Sequence, residues 1–411
     1  MEQNKGHVNF YIWIYAFFAI VSIFAIGSAG AALAAYRHVS PFWVIFKQIA
    51  FLIAGFIFML AVGKLDYRVY FKLADAFYFI SLFLLIITLF FAPTVNAARR
   101  WLVLPGLGLH FQTSELVKIA VIIKVAQILA TEKNMRENTD QLLKKVAFWV
   151  LPIVFLVMLG DNSSALLIFF TVILMLFIAP IDRKLLLKYL GLLTLLFVVF
   201  FLLGLLVGIG RFNTMLARAK NFLLGEDYYQ ALQAKIAVAT GHLFIPIPGS
   251  STQKALLTHS YSDFIFAILA EEWGIWAFII VIVYLIFIYK TGEIIKKINR
   301  SFPLFLASGI VFSITLQAFV HISVNIGLLP ITGQPLPLIS LGGTSIIMTS
   351  FAFGILLNIS RNKAAYQLIM KEKNNAKNEK NDSEKSEENK DIEPKMKNEE
   401  WKELLISDFD I

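Results

Sequence analysis

One apolar segment of the chain, residues 185–209, reads LLLKYLGLLTLLFVVFFLLGLLVGI and contains a single charged residue, Lys188. A helix that crosses the hydrocarbon core of a bilayer needs about 20 mostly apolar residues, and this segment is long enough. The segment therefore predicts a transmembrane helix.

Similar apolar runs recur along the whole chain. Of its 411 residues, 58% are apolar and 16% are charged, whereas soluble domains have about 45–50% apolar and about 25% charged residues. The runs predict an all-α polytopic membrane protein with about ten transmembrane helices. The predicted spans are residues 11–35, 42–63, 75–92, 114–130, 146–160, 165–180, 185–209, 264–289, 304–328 and 342–360.

Lys and Arg are distributed unevenly between alternate loops. One set of loops holds Lys64, Arg68, Lys72, Lys133, Arg136, Lys144, Lys145, Arg183, Lys184, Lys188, Lys290, Lys296, Lys297 and Arg300. The alternate set holds Arg37, Arg99 and Arg100. Because basic loops stay in the cytoplasm, this asymmetry predicts that both termini are cytoplasmic. The basic cytoplasmic loops therefore explain the net charge of +9, and nucleic acid is not expected as a partner.

Two regions differ from the spans. Residues 210–263 are predicted to form a large extracytoplasmic loop, with helix-like stretches, between the seventh and eighth helices. Residues 1–362 would form the membrane domain, and the charged residues 363–411 predict a disordered cytoplasmic tail. The chain has no Cys, which excludes disulfides, thiolate metal sites and Cys nucleophiles.

Ionisable residues inside or beside spans are costly and indicate candidate functional sites. Asp263 precedes the eighth span, where it would be either a catalytic group or a helix N-cap. Glu115 and Lys118 share one helix face, as a substrate site or a structural ion pair. Lys124 lies deeper on the same helix and needs a carboxylate partner, for which Asp263 is a candidate.

Other polar features lie on the same predicted side. Glu271 and Glu272 follow Asp263 and would be either catalytic or paired with backbone groups. Residues 329–345 contain three Pro and three Gly, so they predict an irregular segment that lines protein or water. The segment ends in Gly342-Gly343-Thr344-Ser345, where free N–H groups at a helix start would suit either an anion or a structural turn.

Several short motifs occur in a fixed order along these spans. They are ARRW (98–101), FQTSELVK (111–118), GDNSSAL (160–166), YQALQ (229–233), STQK (251–254), SDFIFA (262–267), EEWG (271–274) and LPITGQPLPLISLGGTS (329–345). In this order they resemble the FtsW/RodA/SpoVE family of peptidoglycan glycosyltransferases, also called the SEDS family. The sequence departs from that family at His242, Ile245 and Ile247, where the family usually has glycine.

The resemblance implies a chemistry and a set of residues. The enzyme would polymerise lipid II at the outer face of the bacterial cytoplasmic membrane, with Asp263 as the catalytic base. Its implied substrate-binding residues are Arg100, Glu115, Lys118, Lys124, Arg218, Gln253, Lys254, Ser340, Thr344 and Ser345. A divalent cation such as Mg²⁺ or Mn²⁺ would assist at the pyrophosphate, while the resemblance implies no organic cofactor. The implied partners are a class B penicillin-binding protein and other divisome or elongasome membrane proteins.

Alternatives to this interpretation remain. Residues 211–218 and 259–263 favour an FtsW-type protein of the division septum over a RodA-type elongation enzyme. A lipid II flippase is a second alternative, although no internal repeat typical of transporters is found. A scaffold for a transpeptidase, without catalysis of its own, is the third.

Overall fold

The computed structural model of the protein describes residues 2–93, 99–104, 109–207, 212–225, 229–241 and 246–361. The predicted tail (363–411), parts of the predicted loop (210–263) and His242 and Ile245 lie outside the described residues. The helices are α1 (Glu2–Tyr36), α2 (Pro41–Val62), α3 (Tyr67–Lys72), α4 (Ala74–Phe91), α5 (Thr113–Thr131), α6 (Thr139–Gly160), α7 (Asn162–Ile178), α8 (Arg183–Val207), α9 (Phe212–Leu224), α10 (Tyr229–Thr240), α11 (Ile265–Trp273), α12 (Phe278–Lys296), α13 (Ser301–Asn325) and α14 (Gly343–Arg361).

The prediction of an all-α polytopic membrane protein is confirmed. Within the described residues, 8 helices are long and apolar enough to cross a membrane. Two further predicted spans are present as helices that miss those criteria. The helix α7 has 17 residues, while α5 has 19 residues and carries three charged side chains. The exact number of ten spans stays a prediction.

The eighth predicted span is interrupted rather than continuous. Its two parts, α11 and α12, are joined by a 3-10 turn at Gly274–Ala277. Gly274 has φ 56° and ψ −129°, a backbone conformation that favours glycine. The break makes α11 and α12 two separate helices.

The helices α13 and α14 form the centre of the bundle. Buried residues make up 72% of the apolar part of α13 and 78% of that of α14, against 6% for α8. A Cβ added at Gly309 of α13 would lie 2.6 Å from Ile122 of α5 and 2.6 Å from Met175 of α7. Helices that approach this closely in a membrane need small residues at the crossing. The position of α13 therefore depends on Gly309.

Shorter elements gather at one end of the bundle, here called the Asp263 end. The antiparallel strands β1 (Trp101–Leu104) and β2 (Leu109–Gln112) form a hairpin there, with Trp101 paired with Gln112. The sequence did not predict this hairpin. The segment between α8 and α11 contains α9, α10 and a 3-10 turn at Gln253–Ala255, which agrees with the expected helix-like stretches.

Candidate active site

Asp263 lies in a tight turn immediately before α11. The carbonyl oxygen of His259 accepts hydrogen bonds from the N–H groups of Ser262, Asp263 and Phe264, at 3.1, 3.0 and 3.2 Å. The N-cap position of α11 is Phe264. The alternative that Asp263 is merely the helix cap is therefore wrong.

The Asp263 carboxyl is partly buried and faces the 329–345 segment. A Cβ built on Gly333 would lie 3.4 Å from Asp263 Oδ2, and Gly333 has φ +68°. Glycine at this position thus allows the irregular backbone to turn beside the carboxyl. The irregular segment predicted at residues 329–345 therefore packs against Asp263 in the structure.

Burial raises the pKa of the Asp263 carboxyl above its ordinary value. His259, the Ser262 hydroxyl and the cations Arg100 and Arg218 act in the opposite direction. Desolvation disfavours the charged form of a carboxyl, and nearby cations favour it. A carboxyl with a raised pKa suits proton abstraction near neutral pH.

The two arginines that lower the pKa of Asp263 electrostatically lie on different elements. Arg218 of α9 donates a hydrogen bond through Nη1 to the Ile331 carbonyl, at 2.9 Å. Arg100 precedes β1, and its side chain passes the position where a Cβ on Gly160 would lie, 3.9 Å from its Cγ. The structure therefore places Arg100 and Arg218 in the electrostatic surroundings of Asp263, while their contact with a pyrophosphate stays a prediction.

Glu115 and Lys118 form a buried ion pair. Lys118 Nζ lies 3.1 Å from each carboxylate oxygen of Glu115 and 2.5 Å from Gln317 Oε1. An ammonium group has three donors, and these contacts use all three. Gln317 in turn donates to the Pro335 carbonyl at 2.9 Å. In this arrangement the pair ties α5 to α13 and to the 329–345 segment, which favours the structural alternative over direct substrate contact.

The expectation that Lys124 pairs with Asp263 is wrong. Lys124 forms an ion pair with Asp75 of α4 and donates to Gln127 at 2.8 Å. Its Nζ also lies 4.2 Å from the centre of the Trp149 ring. Lys124 is nine residues beyond Glu115 on α5, or about 14 Å further along the helix. This distance along the bundle places Lys124 away from the candidate site.

Glu271 and Glu272 hold the loop that contains Gln253 and Lys254. Glu271 Oε1 accepts from the N–H and the hydroxyl of Thr252, at 2.9 and 2.8 Å. Glu272 Oε1 accepts from the N–H of Ser251 at 3.2 Å. Both carboxylates therefore bind backbone and hydroxyl groups, which agrees with the structural alternative.

Lys254 and Gln253 differ in what their side chains contact. Lys254 Nζ donates to the Gly249 carbonyl at 2.6 Å and to Ser28 Oγ at 3.4 Å. Gln253 Oε1 is buried without a hydrogen-bond partner in the described part of the chain. The loop is fixed at the Asp263 end, and a direct substrate role for either side chain stays a prediction.

The three hydroxyl residues of the 329–345 segment also have separate contacts. Ser340 Oγ donates to the Ser262 carbonyl at 2.7 Å and accepts from the N–H of Leu336 at 2.8 Å. Thr344 Oγ1 donates to the His110 carbonyl at 2.9 Å, which links α14 to β2. Ser345 Oγ is buried and lacks a hydrogen-bond partner among the described residues. Ser340 thus supports the turn that carries Asp263.

Sequence reasoning missed a polar network made of uncharged groups and one aspartate. Asp161 Oδ2 accepts from Gln112 Nε2 and Ser164 Oγ, at 3.2 and 2.8 Å. Gln334 Nε2 donates to Ser164 Oγ at 3.2 Å, and the Gln334 carbonyl lies 2.7 Å from His321 Nδ1. Gln112, Asp161, Ser164 and Gln334 lie in the quoted motifs, but the motifs are far apart in the chain and gave no sign that these side chains meet.

The surroundings of Asp263 do not suit a divalent cation held by protein groups alone. The charged side chains that act on the carboxyl are cationic or, for His259, able to become so. Within the described residues, no group of three or more His, Asp or Glu side chains could hold a metal ion. Hard divalent cations bind several oxygen ligands, and one carboxylate supplies too few.

Comparison with known proteins decides the family. A family model for FtsW/RodA/SpoVE, described as "Cell cycle protein", matches residues 8–365. The chain belongs to the FtsW/RodA/SpoVE family. The resemblance inferred from the short motifs is thereby confirmed.

Relatives within the FtsW/RodA/SpoVE family cover most of the chain. A protein of Legionella pneumophila named "Probable peptidoglycan glycosyltransferase FtsW" is 31% identical over 353 residues, covering 83% of this chain and 87% of that protein. Proteins with the same name from Trichlorobacter lovleyi and Francisella salina are 30% and 33% identical. They cover 84% and 81% of this chain, and 89% and 83% of their own lengths.

Solved structures of this family have the same fold. One chain comes from the structure described as "Structural coordination of polymerization and crosslinking by a peptidoglycan synthase complex". It has a TM-score of 0.67 and 26% identity, covering 86% of this chain and 97% of that one. RodA of Thermus thermophilus has a TM-score of 0.63, covering 86% of this chain and 96% of its own. The two sequences are 24% identical, so this likeness shows a shared fold and nothing more.

Proposed function

We propose that the protein is a peptidoglycan glycosyltransferase that polymerises lipid II into β-1,4-linked glycan strands. The observation that carries this proposal is the partly buried carboxyl of Asp263, which lies beside Gly333 and in the field of Arg100 and Arg218. Relatives that match most of this chain are named as enzymes of this class.

The proposed reaction uses Asp263 as general base. Asp263 takes the proton from the 4-hydroxyl of the acceptor GlcNAc as that oxygen attacks the anomeric carbon of the donor MurNAc. The new C–O bond forms on the face opposite the leaving group, so the α-linkage becomes β. Polyprenyl pyrophosphate departs with the electron pair of the broken bond.

Arg100 and Arg218 are the proposed partners of the pyrophosphate. Cations near a leaving phosphate group stabilise charge that develops in the transition state. The same two side chains lower the pKa of Asp263. One pair of arginines would therefore keep the base ionised and bind the leaving group. The resemblance also implied a divalent cation at the pyrophosphate, but no step of the proposed reaction depends on one.

Replacement of the base tests the reaction directly. Asp263→Asn preserves the size of the side chain and should reduce lipid II polymerisation roughly 10²–10⁴-fold, the range for loss of a general base. The assay is glycan formation by purified protein from labelled lipid II. Lipid movement across a bilayer without polymer would indicate a flippase, and neither activity would indicate a scaffold. Near-normal polymerisation by a stable Asp263→Asn protein would refute the base assignment.

We also propose a location and a partner. The relatives named FtsW favour a role at the division septum, in the cytoplasmic membrane, with the Asp263 end facing outward. The related chain solved in a synthase complex supports a lateral partner, for which we propose a class B transpeptidase. The complex purified with its cognate transpeptidase should polymerise lipid II faster than the isolated chain does. A rate unchanged by the transpeptidase would contradict this part of the proposal.

A further inference from the structure

The turn that carries Asp263 is held through its backbone carbonyls. The Tyr261 carbonyl accepts from the N–H of Leu341 at 2.9 Å. The next carbonyl, of Ser262, accepts from Ser340 Oγ at 2.7 Å. Two successive peptide groups are therefore bound by the 329–345 segment, and a third bond, to the carbonyl of Asp263 itself, comes from a different element.

That third bond comes from Asn325, the last residue of α13. Asn325 Nδ2 donates to the Asp263 carbonyl at 3.1 Å and to the His321 carbonyl at 2.8 Å. Asn325 Oδ1 accepts from the N–H of Ala267 at 2.9 Å. Its partners are two C=O groups on one side and an N–H on the other, so they determine which way the amide points.

Ala267 is in the first turn of α11, where N–H groups have no carbonyl four residues earlier in the helix, and its N–H also donates to the Phe264 carbonyl at 3.1 Å. Side chains of Asn commonly cap such groups, normally from the residue that precedes the helix. The N-cap residue of α11 is Phe264, which has no side-chain acceptor. Asn325 thus caps α11 from another helix and at the same time binds the peptide of Asp263.

We propose that Asn325 is a positioning residue for Asp263. Asn325 is 0% exposed, so it acts through Asp263 and does not contact substrate. It fixes the Asp263 peptide relative to the first turn of α11, and this sets the direction of the carboxyl toward the substrate. This inference rests on the proposed function of Asp263 as base.

Two substitutions remove the hydrogen bond from Asn325 to the Asp263 carbonyl, one with and one without an acceptor for Ala267. Asn325→Asp keeps an oxygen for Ala267 but turns the donor toward Asp263 into an acceptor that repels the carbonyl. Asn325→Ala removes all three side-chain hydrogen bonds. Both should reduce lipid II polymerisation roughly 10- to 100-fold, with the fall in kcat exceeding any rise in KM. The matched control is Thr315→Val, because Thr315 is buried on the same helix and its hydroxyl bonds to carbonyls of that helix.

The pH–rate profile gives a readout that a purely structural role would not move. Burial raises the pKa of Asp263, so loosening the turn should admit water and lower that pKa toward its ordinary value. The acid limb of the profile should therefore move to lower pH in Asn325→Ala. It should not move in Thr315→Val, even where both variants melt at the same temperature.

A double-mutant cycle distinguishes failure of this inference from failure of the proposed function. In the Asp263→Asn background, adding Asn325→Ala should change the residual rate less than twofold, because the group that Asn325 positions is already absent. An equal loss of rate in both backgrounds, or an unshifted acid limb, would overturn the positioning role alone. A fully active Asp263→Asn protein would overturn the base assignment and the positioning role together.

Discussion

At the scale of single residues, the buried carboxyl of Asp263 lowers the stability of the folded protein when it is ionised. Burial disfavours the ionised carboxyl, and the nearby cations offset this only in part, since the net pKa is raised. Ionisation of this carboxyl therefore costs more free energy in the folded protein than in water.

Asp263→Asn should change the pH dependence of stability. A carboxyl with a raised folded-state pKa contributes stability that is fully present below its ordinary pKa of 3.8 and is lost as pH rises through the raised pKa. The Asn variant has no carboxyl at this position, so its stability does not fall in this pH range for this reason. The Tm of the variant relative to the native protein should thus increase from acid to neutral pH, as measured by thermal unfolding in detergent. A Tm difference independent of pH would contradict the raised pKa.

Lys124→Met tests the corrected partner of Lys124. Methionine keeps the length of the buried stem and removes the ion pair with Asp75, whose side chain is 51% exposed and remains solvated. We expect a destabilisation of about 1 kcal/mol, typical of a lost hydrogen bond. We also expect the pH–rate profile to keep its acid limb. A shifted limb would show that Lys124 acts on Asp263 after all, and Asp75→Asn is the control for loss of the pair alone.

At the scale of elements, the central position of α13 follows from its small and polar side chains. Gly309 permits the close approach of Ile122 and Met175, while Gln317 and Asn325 bind the two segments that surround Asp263. The helix that lies deepest in the bundle is therefore also the one that supports the candidate site.

Gly309→Ala should weaken this packing. The added Cβ would lie well inside contact distance of two neighbouring helices, and overpacking of this kind costs about 1–3 kcal/mol. Gly292→Ala in α12 is the matched control, because no atom lies within 4 Å of its added Cβ. That substitution should be neutral or stabilising by up to about 1 kcal/mol, from helix propensity. Equal Tm values for the two variants would refute the packing role of Gly309.

At the scale of the whole molecule, the charge asymmetry of the loops predicts the orientation in the membrane. The described contacts place the β1–β2 hairpin, Arg218 and the 329–345 segment at the Asp263 end. An extracytoplasmic position of that end would put the candidate base on the side where peptidoglycan is built.

Single-cysteine labelling tests the orientation, because the chain has no Cys of its own. Ser250 is exposed in the loop near Lys254, and Lys133 is exposed between α5 and α6. A membrane-impermeant thiol reagent should label Ser250→Cys in intact cells and should label Lys133→Cys only after the membrane is opened. The reverse pattern would invert the topology.

The sequence by itself determined the class of fold, because long apolar runs can be stable only in a bilayer. Its contiguous motif SDFIFA also made Asp263 the candidate base, through the resemblance to the FtsW/RodA/SpoVE family. Helix periodicity also predicts the Glu115–Lys118 pair, because both side chains lie on one face of α5. Only the tertiary structure decided which groups meet across elements. Lys124 pairs with Asp75, Lys118 also donates to Gln317, and Asn325 binds the Asp263 peptide. These partners belong to different elements, and only the packing of the bundle brings them together.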